Sequence, residues 1–288
     1  MSRHVFSQSE IFSHTQIFSH TEIAHYEAFG FVVLRGLLTA GEVARLKDEV
    51  TTELTAAFGG LGTDPGDEGG ISGDYLPLTV DRAPFAQSLI ADDPRFFQGA
   101  TELAGSPMVP APGTAICFTA NAGWHTDVGP DVRGVKFLVH LDRRTAETGA
   151  LRVLPGSHEP AFARRVERYL SRDPMNQGFP PGLPTPDTVL ETEPGDVLAF
   201  DLHLHHRSQG GEKRLAWSIE YMEWPGIVDE SRKKLVRDLI DPDGDHSGED
   251  VDQDRWPVWR EWAAGAPGRA SRQTALERLE LLEVPGLT

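Results

Sequence analysis

His125-Thr126-Asp127 offers an imidazole and a carboxylate two residues apart, and a second histidine, His206, stands eighty-one residues beyond the first. Two imidazoles and one carboxylate can occupy one face of an octahedral metal such as iron and leave the opposite face open for chemistry. In an extended segment side chains two apart point to the same side, so His125 and Asp127 converge on one ion while Thr126 points away. Along Val197 to Ser208 the same alternation places Leu198, Phe200, Leu202, Leu204 and His206 on one side, with Asp201, His203 and His205 on the other. His206 thus continues an apolar, inward face and can supply the third ligand; a β-bulge after Asp201 would exchange these assignments. Arg214 follows eight residues later, with Ala216 and Ser218 on its side of the next strand. Its planar fork of donors suits a carboxylate, and a nearby hydroxyl can complete the clasp. A lone His-x-Asp triplet is common in surface loops and a lone arginine is usually a surface ion pair, so the order of the three features carries the argument.

The elements that must position these groups read as short strands. From Ala115 onward, apolar runs are separated by turn signals: Ala115 to Thr119, Lys136 to Leu141, Ala150 to Leu154, Thr188 to Glu191, Val197 to Leu204 and Leu215 to Met222. Many short strands without regular helices between them predict an antiparallel sandwich or barrel rather than a parallel sheet. Upstream, Phe29 to Leu37 predicts a further strand. Thr39 with Glu42 forms a capping box for a helix to about Phe58, with Val43, Leu46, Val50 and Leu54 on one face. Another helix is expected from Asp93 to Leu103. The last twenty residues, with Leu276, Leu279 and Leu282 at helical spacing, predict a helix packed on the barrel or on another subunit.

No composition break divides the 288 residues into comparable halves. We expect a polar amino-terminal arm over 1–22, whose Phe-Ser-His-Thr unit repeats too briefly for a solenoid. A single domain over 23–288 follows, with loop insertions at 59–74, 174–188 and 241–254. In the last insertion Asp241, Asp243 and Asp245 have calcium-loop spacing, but position six is His246 instead of Gly and position twelve is Asp252 instead of Glu, so a solvated acidic loop is expected. The net charge of −17, from 44 acidic against 27 basic residues, repels nucleic acid, anionic membranes and polyphosphates. It favours a neutral or cationic small molecule; a monomer or homodimer is expected. Cys117 is the only cysteine, which excludes an intramolecular disulfide and a cysteine-based zinc site and suits a reducing cytoplasm. The longest hydrophobic stretch, Phe29 to Leu38, is short and carries Arg35, so no membrane crossing is expected.

Further pieces stand in a fixed order around the candidate ligands. They are Phe29-Gly30-Phe31-Val32-Val33-Leu34, Trp124-His125-Thr126-Asp127, Leu141-Asp142, Gly149-Ala150-Leu151-Arg152-Val153-Leu154-Pro155-Gly156-Ser157-His158, Pro194-Gly195-Asp196 through Phe200, His206-Arg207-Ser208 and Arg214-Leu215-Ala216-Trp217-Ser218. Together, over about residues 22 to 225, this set resembles the phytanoyl-CoA dioxygenase-like branch of the Fe(II)- and 2-oxoglutarate-dependent oxygenases. The resemblance implies a mainly β fold with flanking helices, a double-stranded β-helix or cupin-like jelly-roll barrel. It implies that His125, Asp127 and His206 hold Fe(II), that Arg214 with Ser208 or Ser218 grips the distal carboxylate of 2-oxoglutarate, and that O2 is the third reactant. His158, Gly195 and Asp196 then belong to structural turns.

Related halogenases replace the carboxylate by a small residue to make room for chloride, so Asp127 implies oxidation without halogen transfer. The expected outcome is hydroxylation, or a related oxidation such as alcohol-to-ketone conversion, desaturation or ring closure. In this fold the substrate sits over the metal beneath loops flanking the His-x-Asp strand, which makes Tyr75, Asn121, Trp124, Asp131 and Arg133 candidate contacts. The acidic balance disfavours coenzyme A thioesters and suits a polar, amine-bearing natural product such as an aminoglycoside or an amino-acid derivative. Two rival classes are a non-oxidative metal-dependent isomerase or hydrolase on a cupin-like barrel and a non-catalytic jelly-roll binding protein. Neither needs a carboxylate clasp after the last ligand, and Arg214 discriminates against both.

Overall fold

Successive side chains of a strand point to opposite sides, and the central strands of this chain use both. A computed structural model describes residues 16–64, 73–78, 82–170, 186–240, 262–265, 268–284 and 287. The start of the expected arm, most of the 174–188 insertion and the acidic run 241–254 lie outside the described residues. In β6 (Gly134–His140), Val135, Phe137 and Val139 enter a helix-covered core, while Lys136, Leu138 and His140 face the barrel interior. In β11 (Arg214–Glu223), Leu215, Trp217, Ile219 and Tyr221 enter that same core, and Arg214 and Ala216 face inward.

These strands lie in a seven-stranded antiparallel sheet. Its order is β1 (Phe31–Leu34), β9 (Val197–Asp201), β6, β11, β4 (Thr114–Phe118) and β2 (Gly73–Pro77), with β3 (Met108–Pro110) paired to the far end of β11. A four-stranded antiparallel sheet of order β5 (Ala122–His125), β10 (His206–Gly210), β7 (Thr148–Val153) and β8 (Thr188–Leu190) forms the second wall. The inner faces meet in one cluster, where Leu151, Val153 and Leu190 of the smaller sheet pack with Phe31, Ile116, Leu138, Leu198, Phe200 and Ala216 of the larger. This is the jelly-roll barrel with flanking helices.

Helices α1 (His20–Phe29), α2 (Ala40–Phe58), α3 (Pro84–Ala91) and α4 (Phe97–Ala104) pack with the outer residues of the larger sheet in its core. The Thr39 capping box is present, with Thr39 Oγ1 accepting from the Glu42 amide and Glu42 Oε2 accepting from the Thr39 amide. Val43, Leu46, Val50 and Leu54 are buried as the spacing predicts, and each such aliphatic side chain contributes about 1.5 to 3 kcal/mol. Helix α5 (Pro160–Leu170) follows β7, and α6 (Glu230–Ile240) follows β11. The terminal helix α7 (Ala270–Leu281) packs on its own chain beside β3 and α3, burying Ala275, Leu279 and Leu282. No described helix is long and apolar enough to cross a membrane.

Three expectations are corrected by the structure. The predicted strand Val197 to Leu204 stops at Asp201, where the Asp201 carbonyl accepts from the Leu204 amide at 2.9 Å and its Oδ1 accepts from the His203 amide at 2.8 Å. That turn carries the chain across to the smaller sheet, so His206 opens a new strand rather than ending an old one. The helix expected from Asp93 begins only at Phe97. Helix α5 interrupts the strand series, and Val166 is its only buried residue between 160 and 168, so little apolar periodicity announces it.

Candidate active site

The crossing from β9 to β10 assembles the histidines and the carboxylate. The Leu202 carbonyl, within that turn, accepts from the Asp127 amide at 2.9 Å. Asp127 itself lies two residues past the end of β5, so the loop and the turn hold each other. His206 stands opposite His125 in the β10 and β5 register. The register then shifts, with Ser208 opposite Ala122, so β5 carries an extra residue. Such a bulge re-aims side chains, and here Ala122 and His125 both line the cavity.

The imidazoles are aimed by their own backbones. His125 Nδ1 donates to the Gly123 carbonyl at 2.9 Å, and His206 Nδ1 donates to the Leu204 carbonyl at 2.9 Å. A carbonyl only accepts, so in each neutral ring Nε2 is the lone-pair nitrogen, the arrangement by which proteins fix metal-binding histidines. The two Nε2 atoms lie 3.8 and 3.6 Å from Asp127 Oδ1, and the ring centroids are 4.2 Å apart. These three ligand atoms lie within 4.8 Å of one another, and no other trio of His, Cys, Asp or Glu among the described residues does so. The donor set fits a divalent first-row metal with part of its coordination sphere open. Burial pushes His206 down to about 4 with Asp127 opposing, so the ring is neutral and able to ligate at neutral pH.

At one end of the same cavity, of about 220 Å³, lies Arg214. It is 2% exposed, its Nη1 donates to the Gly149 carbonyl at 3.5 Å, and its Nη2 donates to the Ala120 carbonyl. Its Nε has no partner, and no carboxylate of the described residues pairs with it. Burial, then Arg144, pushes the group down to about 10. A buried cation without an anion is costly, so this end of the cavity calls for one. His140 lines the wall beside it, its Nδ1 3.0 Å from Thr192 Oγ1.

Near Asp127 the cavity wall holds Lys136. Its Nζ lies 3.4 Å from Asp127 Oδ2 and 2.9 Å from Glu220 Oε1. Burial alone would raise the Asp127 carboxyl, yet Lys136, His206 and His125 outweigh it and hold the group below the usual carboxylate range. Burial would likewise lower the lysine, and Asp127 with Glu220 instead pushes it up.

The structure brings together His125, Asp127, His206, Arg214, Ser208 and Tyr75, all of which line the cavity. Ser218 is buried but is not part of that lining. Of the other candidate substrate contacts, Trp124 is turned by the bulge into a separate cluster with Leu154 and Val166, under the Arg207 guanidinium 4.9 Å from its ring. Asn121 accepts from the Gly210 amide at 2.8 Å, Asp131 is exposed, and Arg133 pairs with Glu223 at 3.9 Å. None of these four lines the cavity. His203 is held outward by Asp201 and the Gly129 carbonyl, His205 is buried away from the cavity, and His158 reaches the Glu27 carbonyl. Sequence reasoning missed Lys136, His140 and Glu220. The available signal was a charged residue and a histidine at alternate positions within an apolar strand.

A family model for phytanoyl-CoA dioxygenase matches residues 26–212. No curated protein matches the sequence. Among solved structures the chain is similar to the non-heme alpha ketoglutarate dependent carbocyclase SnoK from nogalamycin biosynthesis, at 21% identity and a TM-score of 0.57 over 76% of this chain and 91% of that one. It is similar to EctD from S. alaskensis with bound Fe, at 21% identity and a TM-score of 0.53 over 72% and 78% of the two chains. It is also similar to EvdO2 from Micromonospora carbonacea var. aurantiaca complexed with 2-oxoglutarate, at 18% identity and a TM-score of 0.51 over 72% and 91%. At these identities the likeness establishes the fold.

Proposed function

The chain belongs to the phytanoyl-CoA dioxygenase family, and from that premise we propose that it is an Fe(II)- and 2-oxoglutarate-dependent oxygenase that oxidises a small natural product. The observation that carries the reading is Arg214, a buried guanidinium without a carboxylate partner among the described residues, in the same cavity as a 2-His-1-carboxylate set. A dicarboxylate reaching from the metal toward Arg214 satisfies both ends at once. Neither a redox-inert hydrolase nor a plain binding barrel requires such an anion site beside its metal.

In this reading His125 Nε2, Asp127 Oδ1 and His206 Nε2 would hold the iron, and Arg214 with the Ser208 hydroxyl would bind the distal carboxylate of 2-oxoglutarate. Bound iron, with 2-oxoglutarate and O2, supplies oxidation of an unactivated C–H bond with release of succinate and CO2. The chain's residues bind, orient and exclude water. His140 is pushed down to about 3 by burial, then by Arg144 and Arg214. It stays neutral beside the arginine and adds no third positive charge. Asp127 remains an anionic ligand, which supports oxidation over halogen transfer.

Beyond the candidate ligands, the cavity is lined by Tyr75, Ile116, Phe118, Leu138 and Phe200, with the Arg214 guanidinium 5.3 Å from the Phe118 ring. Tyr75 is 39% exposed and packs edge-on against Phe118 at 5.9 Å between centroids, and this aromatic pair supports a substrate with a ring face. The surface charge favours a cation at long range, whereas the lining itself carries Lys136 and Arg214 beside Asp127. A neutral molecule with an apolar ring face suits these walls better than an aminoglycoside. The nogalamycin pathway of SnoK supports the broader class of small natural products.

The test is succinate formation by anaerobically iron-loaded protein on admitting oxygen, with and without 2-oxoglutarate. Succinate is expected only when 2-oxoglutarate is supplied, and its formation should be lost in His125→Ala and Asp127→Ala proteins that remain folded by circular dichroism. Unchanged turnover in either variant would overturn the assignment.

A further inference from the structure

Lys136 is a cation set into the inner wall of the barrel, and its neighbours explain its presence there. It stands directly across from Glu220 in the β6 and β11 register, with Nζ 2.9 Å from Glu220 Oε1. Its other partner is Asp127 Oδ2, at 3.4 Å, whereas Asp127 Oδ1 faces the two histidine nitrogens. The carboxylate is therefore divided, one oxygen toward the ligand cluster and one toward the ammonium. β6 lies between β9 and β11 in the larger sheet, so the lysine backbone is fixed on both sides.

Resting on the metal site proposed above, we propose that Lys136 is a positioning residue that confines Asp127 to one-oxygen ligation, with Glu220 anchoring the lysine. A carboxylate free to rotate can chelate a metal through both oxygens and occupy a position that the co-substrate or oxygen needs. An ammonium on Oδ2 makes that chelation unfavourable and keeps the oxygen nearest the histidines in place. Glu220 supplies the balance, because Asp127, Lys136 and Glu220 together carry one negative charge, the same as a lone ligand carboxylate. The lysine thus orients the ligand without changing the charge presented to the metal. Lys136 touches neither metal nor substrate in this role; it acts through Asp127.

Co(II) provides the probe, since its visible bands report both occupancy and coordination number. Metal-free wild type, Lys136→Met, Lys136→Arg and the double variant K136M/E220M would be titrated with Co(II), with thermal unfolding of each metal-free protein followed by circular dichroism. The double variant removes both charges of the pair, which keeps the test open where the single change leaves Glu220 without its lysine. We expect Co(II) affinity to shift by about 10- to 100-fold in K136M and in the double variant, the range seen when a group orienting a ligand is removed. The band intensities should change with it, and K136R should recover part of both. Wild-type affinity and spectrum in K136M and the double variant would overturn the proposal. Failure of the wild type to bind Co(II) would instead remove the metal site on which it rests.

Discussion

His140 converts burial into a pH dependence that can be calculated. The ring is 4% exposed, bonded to Thr192 and flanked by Arg144 and Arg214, and it is pushed from the ordinary 6.5 down to about 3 by burial and then by the two arginines. The folded chain therefore keeps this imidazole neutral where the unfolded chain protonates it. Stability present above pH 6.5 is lost as the pH falls through the window from 6.5 to about 3, because there the unfolded state binds more protons. At pH 5, about 1.5 units below the unfolded value, the linkage amounts to about 2 kcal/mol. Urea unfolding followed by tryptophan fluorescence at pH 8 and pH 5 would measure it in wild type and His140→Asn. Other groups titrate in both proteins, Asp127 and His206 among them, so the quantity read is the difference between the two pH-dependent losses. Wild type should lose about 2 kcal/mol more than the variant between these pH values. Equal losses would show that His140 titrates alike in both states and would refute the reasoning.

Two substitutions probe the anion end of the cavity. Arg214→Met should raise the dissociation constant of 2-oxoglutarate by about thirtyfold or more, the consequence of removing one partner of a buried charge pair at a cost of about 2 kcal/mol or above; Arg214→Lys should recover little because the fork is lost. Calorimetric titration with Co(II)-loaded protein would show it, and unchanged affinity would move the co-substrate elsewhere. Gly149 has φ +87°, and a Cβ there would meet the Gly210 carbonyl oxygen, and Arg214 Cδ at 2.5 Å. Gly149→Ala should therefore destabilise the fold by about 1 to 3 kcal/mol and weaken 2-oxoglutarate binding together, as read by urea unfolding and the same titration.

The parts of the fold that were legible in the sequence are those where one side of an element is apolar and the other is not. Val43, Leu46, Val50 and Leu54 announce α2, and the Thr39 capping box marks its start. The strands β4, β6, β9 and β11 are announced by apolar runs, because their outer sides are covered by helices. Helix α5 fails that test, and so does the turn from Leu202 to His205. There the alternation continues on paper while the chain leaves one sheet for the other, Leu202 entering the helix-covered core and Leu204 the barrel core. The expectation placed His206 at the end of a strand that in fact stops at Asp201, and the residue instead opens the next one. Likewise His125 and Asp127 converge through a bulge and a loop rather than through plain alternation.

The less legible groups share a physical cause. Lys136, His140 and Glu220 are polar residues on the inner face of central strands, where pattern reading expects apolar side chains and treats a charge as an exception. Their meaning depends on partners outside their own strand: Lys136 on Asp127, nine residues earlier, and on Glu220 across a strand pair, His140 on Thr192 and Arg214. No local window contains Glu220, Thr192 or Arg214 together with its partner. Net charge is likewise not a local quantity, since −17 sums over the whole chain while the cavity lining carries Lys136, Arg207 and Arg214 along with Asp127. A substrate inside the barrel meets this local arrangement at close range, and the surface field is screened over about 8 to 10 Å at physiological salt. On the proposed function, selection would therefore follow the wall, and the acidic exterior would govern only approach.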